Sequence, residues 1–337
     1  MLGTLGAQGH EVPAAELEQA FFHLARVEER DGPRDAHGRF PAAASSLDPL
    51  DPPLERLRAQ LGVEPPRWRG ARFAVALTHD VDTPWRWTRR GLRLAAGRKD
   101  LRALARAPLH RLRGTDPNWS FERIRELEAG ARSTFFVMTG FGHRADPEPY
   151  SDRLPRLVES LAGAEIGLHG SYRAADEPAR LTEEKAALER AAGRVGGQRF
   201  HYLRLNLDAV AAAGFRYDST LGFSDAIGFR AGIAQPFRPW GTRLVEIPLA
   251  VMDVTLAEQR YLGLSAKAAE PQIVSLLDWA AEHGGGFAIL WHTDRFDRPT
   301  ARGWDRLYER VLAAVRERGG VCLSAGELAE EADAWLP

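Results

Sequence analysis

Short apolar runs alternate with longer amphipathic stretches along most of this chain. From residue 71 onward the runs are RFAVAL (72–77), STFFVM (133–138), AEIGL (164–168), RFHYL (199–203), LVEIPL (244–249), GFAILW (286–291) and GVCLS (320–324). Each has the length of a strand and the continuity of one covered on both faces. Between them, 119–129, 151–162, 181–192, 206–213, 267–283, 303–318 and 324–335 read as helices. Strands alternating with helices pair in parallel, because a parallel neighbour is reached only through a crossover. Seven such units predict a (β/α) barrel rather than an open sheet, with its chemistry at the C-terminal ends of the strands.

The chain before residue 71 reads differently. Leu17, Ala20, Phe21, Leu24 and Val27 predict a helix over 14–29. DGPRDAHGRFPAAASSLDPLDPP (31–53) is turn and linker chemistry, and a short helix over 54–61 precedes a Pro-Pro break at 65–66. Such short helices cannot bury a core of their own. Residues 1–70 are therefore expected to form a helical extension packed on a barrel spanning 71–337.

Charge narrows the function classes. With 45 basic and 46 acidic residues the net charge is -1, so no global electrostatic case for nucleic acid exists. The single cysteine, Cys322, excludes an intrachain disulfide framework and cysteine-based zinc modules, and its apolar surroundings predict a core thiol. No apolar stretch approaches the ~18 residues of a membrane span. The start, MLGTLGAQGHEV, has neither a basic segment nor an apolar run. The expectation is a soluble, cytoplasmic protein.

One segment departs from this balance. Residues 85–114 hold ten Lys/Arg and one acid, Asp100. Leu101, Leu104, Ala105, Leu109 and Leu112 form an apolar stripe that Pro108 interrupts. Two readings stand: a solvated outer helix of the barrel, or a surface for anionic lipid or a phosphate-bearing substrate, which would make a peripheral membrane contact.

The strand ends carry the candidate chemistry. Thr78-His79-Asp80-Val81-Asp82-Thr83-Pro84 follows the first run. His169 follows the third, and Arg199, His201, Tyr202 and Arg204 crowd the fourth. Period-2 alternation would place Arg199, His201 and Leu203 on one face, with Tyr202 and Arg204 on the other. His292 closes the strand FAILW. In a barrel these ends meet at one mouth. Converging Asp and His without cysteine suit a hydrolytic metal site. No GxxxxGK[ST] or GxGxxG follows a strand, so P-loop and dinucleotide chemistry is excluded.

VALTHDVDTP, RSTFFVMTG, EIGLHGSY, QRFHYLR, GFRYDST (214–220) and ILWHTD, in that order, resemble the motifs of the polysaccharide deacetylases: carbohydrate esterase family 4, or NodB-like. The wording of THDVD and LHGSY resembles an uncharacterised bacterial branch of that family. The resemblance covers roughly residues 70–335. It implies a distorted (β/α)7 barrel and metal-dependent removal of an N-acetyl group from an amino sugar in polysaccharide or glycoconjugate biosynthesis. Carried over, Asp80 is the general base, Asp82 a metal ligand and His169 a second ligand. An alternative register makes His79 the base and puts Asp80 on the metal. The family's other ligand histidine falls at position 173, where this chain has Arg173. His201 is the candidate replacement, with His143 in reserve, and Arg173 becomes a candidate for binding substrate. Arg199 matches the arginine that orients the base, His292 the general acid, and Asp218 an acid that tunes a neighbouring group. The Tyr202 backbone N–H is a candidate oxyanion donor. Trp85, Trp119, Trp240 and Trp291 are candidates for stacking on sugar rings.

The implied cofactor is a divalent metal: zinc first, with iron, cobalt, manganese or nickel as alternatives. The implied partner is an N-acetylated amino sugar, nucleotide- or lipid-linked. Two other readings remain at this point. One is a catalytically inactive saccharide-binding protein, which Arg173 suggests. The other is a hydrolase of a different non-peptide C–N bond.

Overall fold

The computed structural model describes residues 14–336 apart from 98, 100 and 114. The segment MLGTLGAQGHEV and Asp100 therefore lie outside the described residues.

Among the described residues, nine strands form one wholly parallel sheet: β1 (Phe73–Val81), β2 (Thr134–Val137), β3 (Glu165–Gly170), β4 (Gly197–Phe200), β5 (Tyr217–Asp218), β6 (Val245–Glu246), β7 (Leu249–Met252), β8 (Gly285–Leu290) and β9 (Val321–Leu323). Their order is β6-β5-β4-β3-β2-β1-β8-β7, with β9 added beside β1. β6 and β7 are two halves of one chain segment bent at Ile247-Pro248. The first half pairs with β5 and the second with β8, so this bent segment closes the ring as a seventh stave. That is the distorted (β/α)7 barrel. β9 pairs Ala74–Ala76 of β1, while β2 pairs Thr78–Val81. The opposite edge of β1 is taken by β8, so β9 and β2 share one edge of β1 between them.

Alternation along the strands sorts the core into two layers. Phe73, Val75, Leu77, Phe135, Val137, Leu168, Phe200, Phe287 and Ile289 face outward and bury against the surrounding helices. Ala74, Ala76, Phe136, Tyr217, Val245, Ala288 and Leu290 face inward. The interior is narrow, and glycines make room for its large rings. A Cβ at Gly197 would stand 1.9 Å from the Tyr217 ring, and one at Gly167 2.6 Å from Phe136.

The helices before the barrel lie on it. Ala20 of helix Ala14–Leu24 and Leu54 and Leu57 of helix Pro53–Gln60 bury against Leu221, Ala231, Ile233 and Phe237. Arg230 forms a buried two-pronged ion pair with Glu29, 2.7 Å at each contact. Glu55, 1% exposed, is the costly group in this layer. Burial pushes its carboxyl up to about 7 from an ordinary 4.5, despite the Arg58 guanidinium nearby. A carboxyl raised on folding contributes stability below its unfolded value and loses it as pH rises through the folded one. Stability should therefore fall by about 3 kcal/mol between roughly pH 5 and 8 on this account alone. Glu55→Gln should flatten that loss, as read by urea denaturation at both pH values.

Several sequence-based expectations need correction here. β1 runs on through Thr78-His79-Asp80-Val81, because β2 pairs with that stretch; the acidic motif is strand rather than a turn after it. β4 stops at Phe200, and His201–Leu203 form a tight helical turn in place of the predicted strand end. The basic segment forms two helices, Arg89–Gly97 and Leu101–Arg113, and Pro108 sits inside the second. Cys322 is only partly buried on β9, and burial pushes its thiol up to about 11. Among the described residues, no helix is long and apolar enough to cross a membrane.

Candidate metal centre

The C-terminal ends of β1, β3, β4 and β8 meet at one mouth. Asp80 on β1 and Asp82 just beyond it are two residues apart, so alternation turns both carboxylates inward. His79, between the strand's inward positions, faces outward. Its Nδ1 donates to the Trp291 carbonyl at 2.7 Å, and its Nε2 lies 2.8 Å from Glu128. Geometry thus removes the alternative register: His79 ties strands to helices and does not reach the mouth.

Three donor atoms converge. Asp82 Oδ1 is 3.2 Å from His169 Nε2 and 3.6 Å from His201 Nδ1, and the two imidazole nitrogens are 3.1 Å apart. These residues are the one group among the described residues with metal-ligand spacing. Ligands about 2.1 Å from a tetrahedral zinc would stand about 3.4 Å apart, close to what is seen. The hydrogen bonds on the far side of each ring fix its tautomer. His169 Nδ1–H donates to the Arg199 carbonyl, and His201 Nε2–H donates to the Ala145 carbonyl, both at 3.0 Å. Carbonyls only accept, so in their neutral forms both rings present bare lone pairs to each other and to Asp82, as ligands of a cation must. Asp82 Oδ1 is itself buried with no hydrogen-bond donor. Three facing lone pairs repel unless a cation lies among them. Two imidazoles and one carboxylate, with no thiolate, fit zinc and equally iron, cobalt, manganese or nickel.

The electrostatics agree with a cation site. Burial opposes charge on His169, yet Asp80 and Asp82 raise it above its ordinary value. Burial likewise works against ionised Asp82, but His201, His169 and His292 hold it below the usual carboxylate range. His201 sits below its ordinary value chiefly through burial.

Arg199 anchors the base candidate. It is fully buried, with its guanidinium 4.5 Å over the Phe136 ring. It donates to Asp80 Oδ1 at 2.9 Å, Thr78 Oγ1 at 3.0 Å, and the Ser219 carbonyl and hydroxyl at 2.8 and 3.0 Å. Asp80 is thereby held with its other oxygen, Oδ2, 3.7 Å from His169 Nε2. On the opposite rim, His292 Nδ1–H donates to Asp253 Oδ1 at 2.6 Å, leaving Nε2 3.9 Å from Asp82. Burial disfavours its charge, but Asp253, Asp82 and Asp80 push His292 up to about 10, so it is protonated near neutrality.

A cavity of about 600 Å³ opens over this cluster, and Asp80, Asp82, His201, Tyr202 and His292 line it. Tyr202 and Leu203 carry φ of 61° and 54°, consecutive left-handed positions that cost bulky residues energy. That turn breaks the expected alternation and brings His201, Tyr202 and Leu203 to the cavity together.

Other candidates are not brought there. Asp218 is on the outward face of β5, bonded to Gln198 and Thr220 and sharing a buried pairing with Glu246. Trp291 is fully buried against Trp304 and Tyr308. Arg173 is exposed on the turn Tyr172–Ala175 and is absent from the cavity lining. His143 stacks on Tyr172 with ring centroids 4.1 Å apart. No tryptophan lines the cavity; Tyr202 and Tyr261 supply its aromatic wall instead, and Trp85 and Trp119 pack on each other.

Two residues at the mouth have no counterpart among the sequence candidates: Asp253 and Arg39. Asp253 follows β7 directly, three residues beyond the end of the predicted strand at 249. Arg39 reaches the rim from the linker, bonded to Asp35, the Tyr202 carbonyl and the Tyr261 hydroxyl. A contact so distant in sequence leaves no local signal.

No protein-family model and no curated protein matches the chain. Solved structures do. A protein described as a polysaccharide deacetylase from Mycobacterium smegmatis aligns with a TM-score of 0.54 at 22% identity, over 81% of this chain and 94% of that one. One described likewise from Pseudomonas aeruginosa PAO1 gives 0.55 at 17% identity, over 80% and 95%. The PuuE allantoinase gives 0.53 at 18% identity, over 81% and 95%. At these identities the likeness is one of fold: this chain has the barrel seen in polysaccharide deacetylases and in an allantoinase.

Proposed function

We propose that the protein is a metal-dependent hydrolase that removes an N-acetyl group from an amino sugar. The observation that carries this reading is the convergence of Asp82 Oδ1, His169 Nε2 and His201 Nδ1, flanked by Asp80 on one side and His292 on the other. Asp82, His169 and His201 would hold the ion. A divalent cation held there would supply Lewis acidity, making a carbonyl more electrophilic and a water more acidic. Asp80, oriented by Arg199, accepts the proton of that water. His292, kept in one tautomer by Asp253, donates its Nε2 proton to the departing amine. Water and the amide thus become a carboxylate and a free amine.

Two arginines on the rim, set among the acids Glu148 and Asp294, support a substrate with an anionic group, as in a nucleotide- or lipid-linked sugar. Arg90 and Arg260 both line the cavity. Among the described residues neither pairs with a carboxylate: Arg90 donates to the Asp146 carbonyl, and Arg260 stacks on Tyr202 and Tyr261. His201, which supplies the third converging donor while Arg173 lies exposed, supports the hydrolase over an inactive saccharide-binding protein.

The test is direct. Purified protein should carry about one equivalent of a divalent metal per chain. It should release acetate from N-acetylglucosamine oligomers or N-acetylglucosamine 1-phosphate. Dialysis against a chelator should abolish release, and zinc or cobalt should restore it. Protein lacking metal and turnover would overturn the reading. The fold shared with an allantoinase supports a second substrate class, a cyclic or linear amide. Ring opening of allantoin without acetate release would favour that class.

A further inference from the structure

We propose that the helices Arg89–Gly97 and Leu101–Arg113 form an interfacial element that docks the protein on an anionic lipid bilayer. This goes beyond the hydrolase reading and does not depend on it.

The first observation is the direction of the apolar stripe. On the second helix, Leu101, Ala105, Leu109 and Leu112 recur at steps of four, four and three, so they share one face. A helix packed on a barrel would bury that face. Here it is turned to solvent: Leu101 is 74%, Leu109 45% and Leu112 85% exposed. Leu92, on the first helix, is 37% exposed at the edge of the groove between these helices and the barrel. Among the described residues, four of the eight strongly exposed large apolar side chains lie in these two helices, which makes this a concentrated patch rather than ordinary scatter. The two helices pack chiefly on each other, and a groove of about 750 Å³ lined by Trp85, Trp87, Leu92, Leu104, Pro108 and Trp119 separates them from the barrel.

Charge selects the occupant. The segment 85–114 holds ten cationic residues and one acid in a chain whose net charge is -1. Arg89, Arg93, Lys99, Arg106 and Arg113 are all exposed around the apolar face. Apolar side chains bordered by arginine and lysine, whose long stems reach past lipid tails to phosphates, are the pattern of a helix lying in a bilayer surface. A protein partner of matching shape would have to be strongly acidic as well as apolar. An anionic membrane supplies both properties over any area.

The element also adjoins the metal cavity. Arg90 and Gly91 of the first helix line that cavity; Thr83 and Thr88 line both it and a neighbouring pocket of about 350 Å³, whose Trp85 and Trp87 also line the groove. Docking through these helices places the cavity mouth at the lipid–water boundary, where the head of a membrane-anchored amphiphile would be within reach.

Vesicle co-sedimentation tests this with the full chain. The wild type should bind vesicles of equal parts phosphatidylglycerol and phosphatidylcholine, ignore pure phosphatidylcholine, and lose binding as salt rises. The triple variant Leu101→Ser, Leu109→Ser, Leu112→Ser should bind about tenfold less or weaker still. These side chains are exposed, so circular dichroism and metal content should match the wild type. A second variant, Arg89→Gln with Arg93→Gln and Arg106→Gln, should weaken binding to the anionic vesicles. No binding to anionic vesicles at low salt would overturn the proposal. So would equal binding by the triple variant, equal affinity for the neutral vesicles, or a stable dimer that the leucine substitutions dissolve. Acetate release from soluble oligomers, measured on the same preparations, reports separately on the hydrolase reading.

Discussion

His201→Ala is expected to lose the stoichiometric divalent metal and, with it, hydrolysis by a factor on the order of 10³ or more. The reason is geometric. His201 Nδ1 is 3.1 Å from His169 Nε2 and 3.6 Å from Asp82 Oδ1, and its far nitrogen is committed to the Ala145 carbonyl. Removing the ring leaves a two-donor site. Arg173→Ala is the informative partner, because Arg173 stands at the position where related motifs carry a histidine, yet lies exposed on the turn Tyr172–Ala175. It should retain metal and turnover within about twofold, as a surface change away from the site would. Elemental analysis of both variants, beside acetate release, checks the assignment. If the alanine at 201 keeps its metal while the one at 173 loses it, the ligand set is wrong.

Asp80→Asn should separate metal binding from turnover. Its carboxylate is not one of the three converging donors, so metal content should stay near one per chain. Loss of the proton acceptor should cost about 10²- to 10⁴-fold in kcat. Asparagine keeps an acceptor oxygen for Arg199 Nη1, which limits the penalty of leaving a buried guanidinium without its partner. Alanine would not, and Asp80→Ala should destabilise the fold by about 3–5 kcal/mol. Turnover of the asparagine variant within about threefold of the wild type would move the base elsewhere. The comparison of asparagine with alanine, by kcat and by thermal denaturation together, distinguishes chemistry from packing.

Much of the barrel was legible because parallel strands covered on both faces must be written as continuous apolar runs, and β2, β3 and β8 are. The convergence of Asp82, His169 and His201 was legible for a related reason: a histidine or aspartate at an inward position near the end of such a run points to the mouth, whereas His79, one step out of that alternation, does not. That logic failed where a boundary or a face was misjudged. The predicted run LVEIPL ends at residue 249, whereas β7 continues to Met252 with Asp253 directly after it, so a boundary three residues short hides that carboxylate. Asp218 follows the right motif but lies on the outward side of a two-residue strand, where one step of register decides everything. Trp291 was placed by composition, although its neighbours Trp304 and Tyr308 come from a distant helix. Tyr202 reaches the cavity through left-handed backbone at two non-glycine residues, which no propensity argument anticipates.

Arg39 gives the stretch ahead of the barrel a stake in what happens at the mouth. It bonds the Tyr202 carbonyl and the Tyr261 hydroxyl, the same two rings that carry Arg260. Trimming the protein back to Arg72 would remove Arg39 and its bonds to Tyr202 and Tyr261, and so reshape the wall of the cavity as well as expose the barrel face beneath Ala20, Leu54 and Leu57. Grafting experiments on this scaffold should treat the strap and the tyrosine pair beneath it as one inherited part.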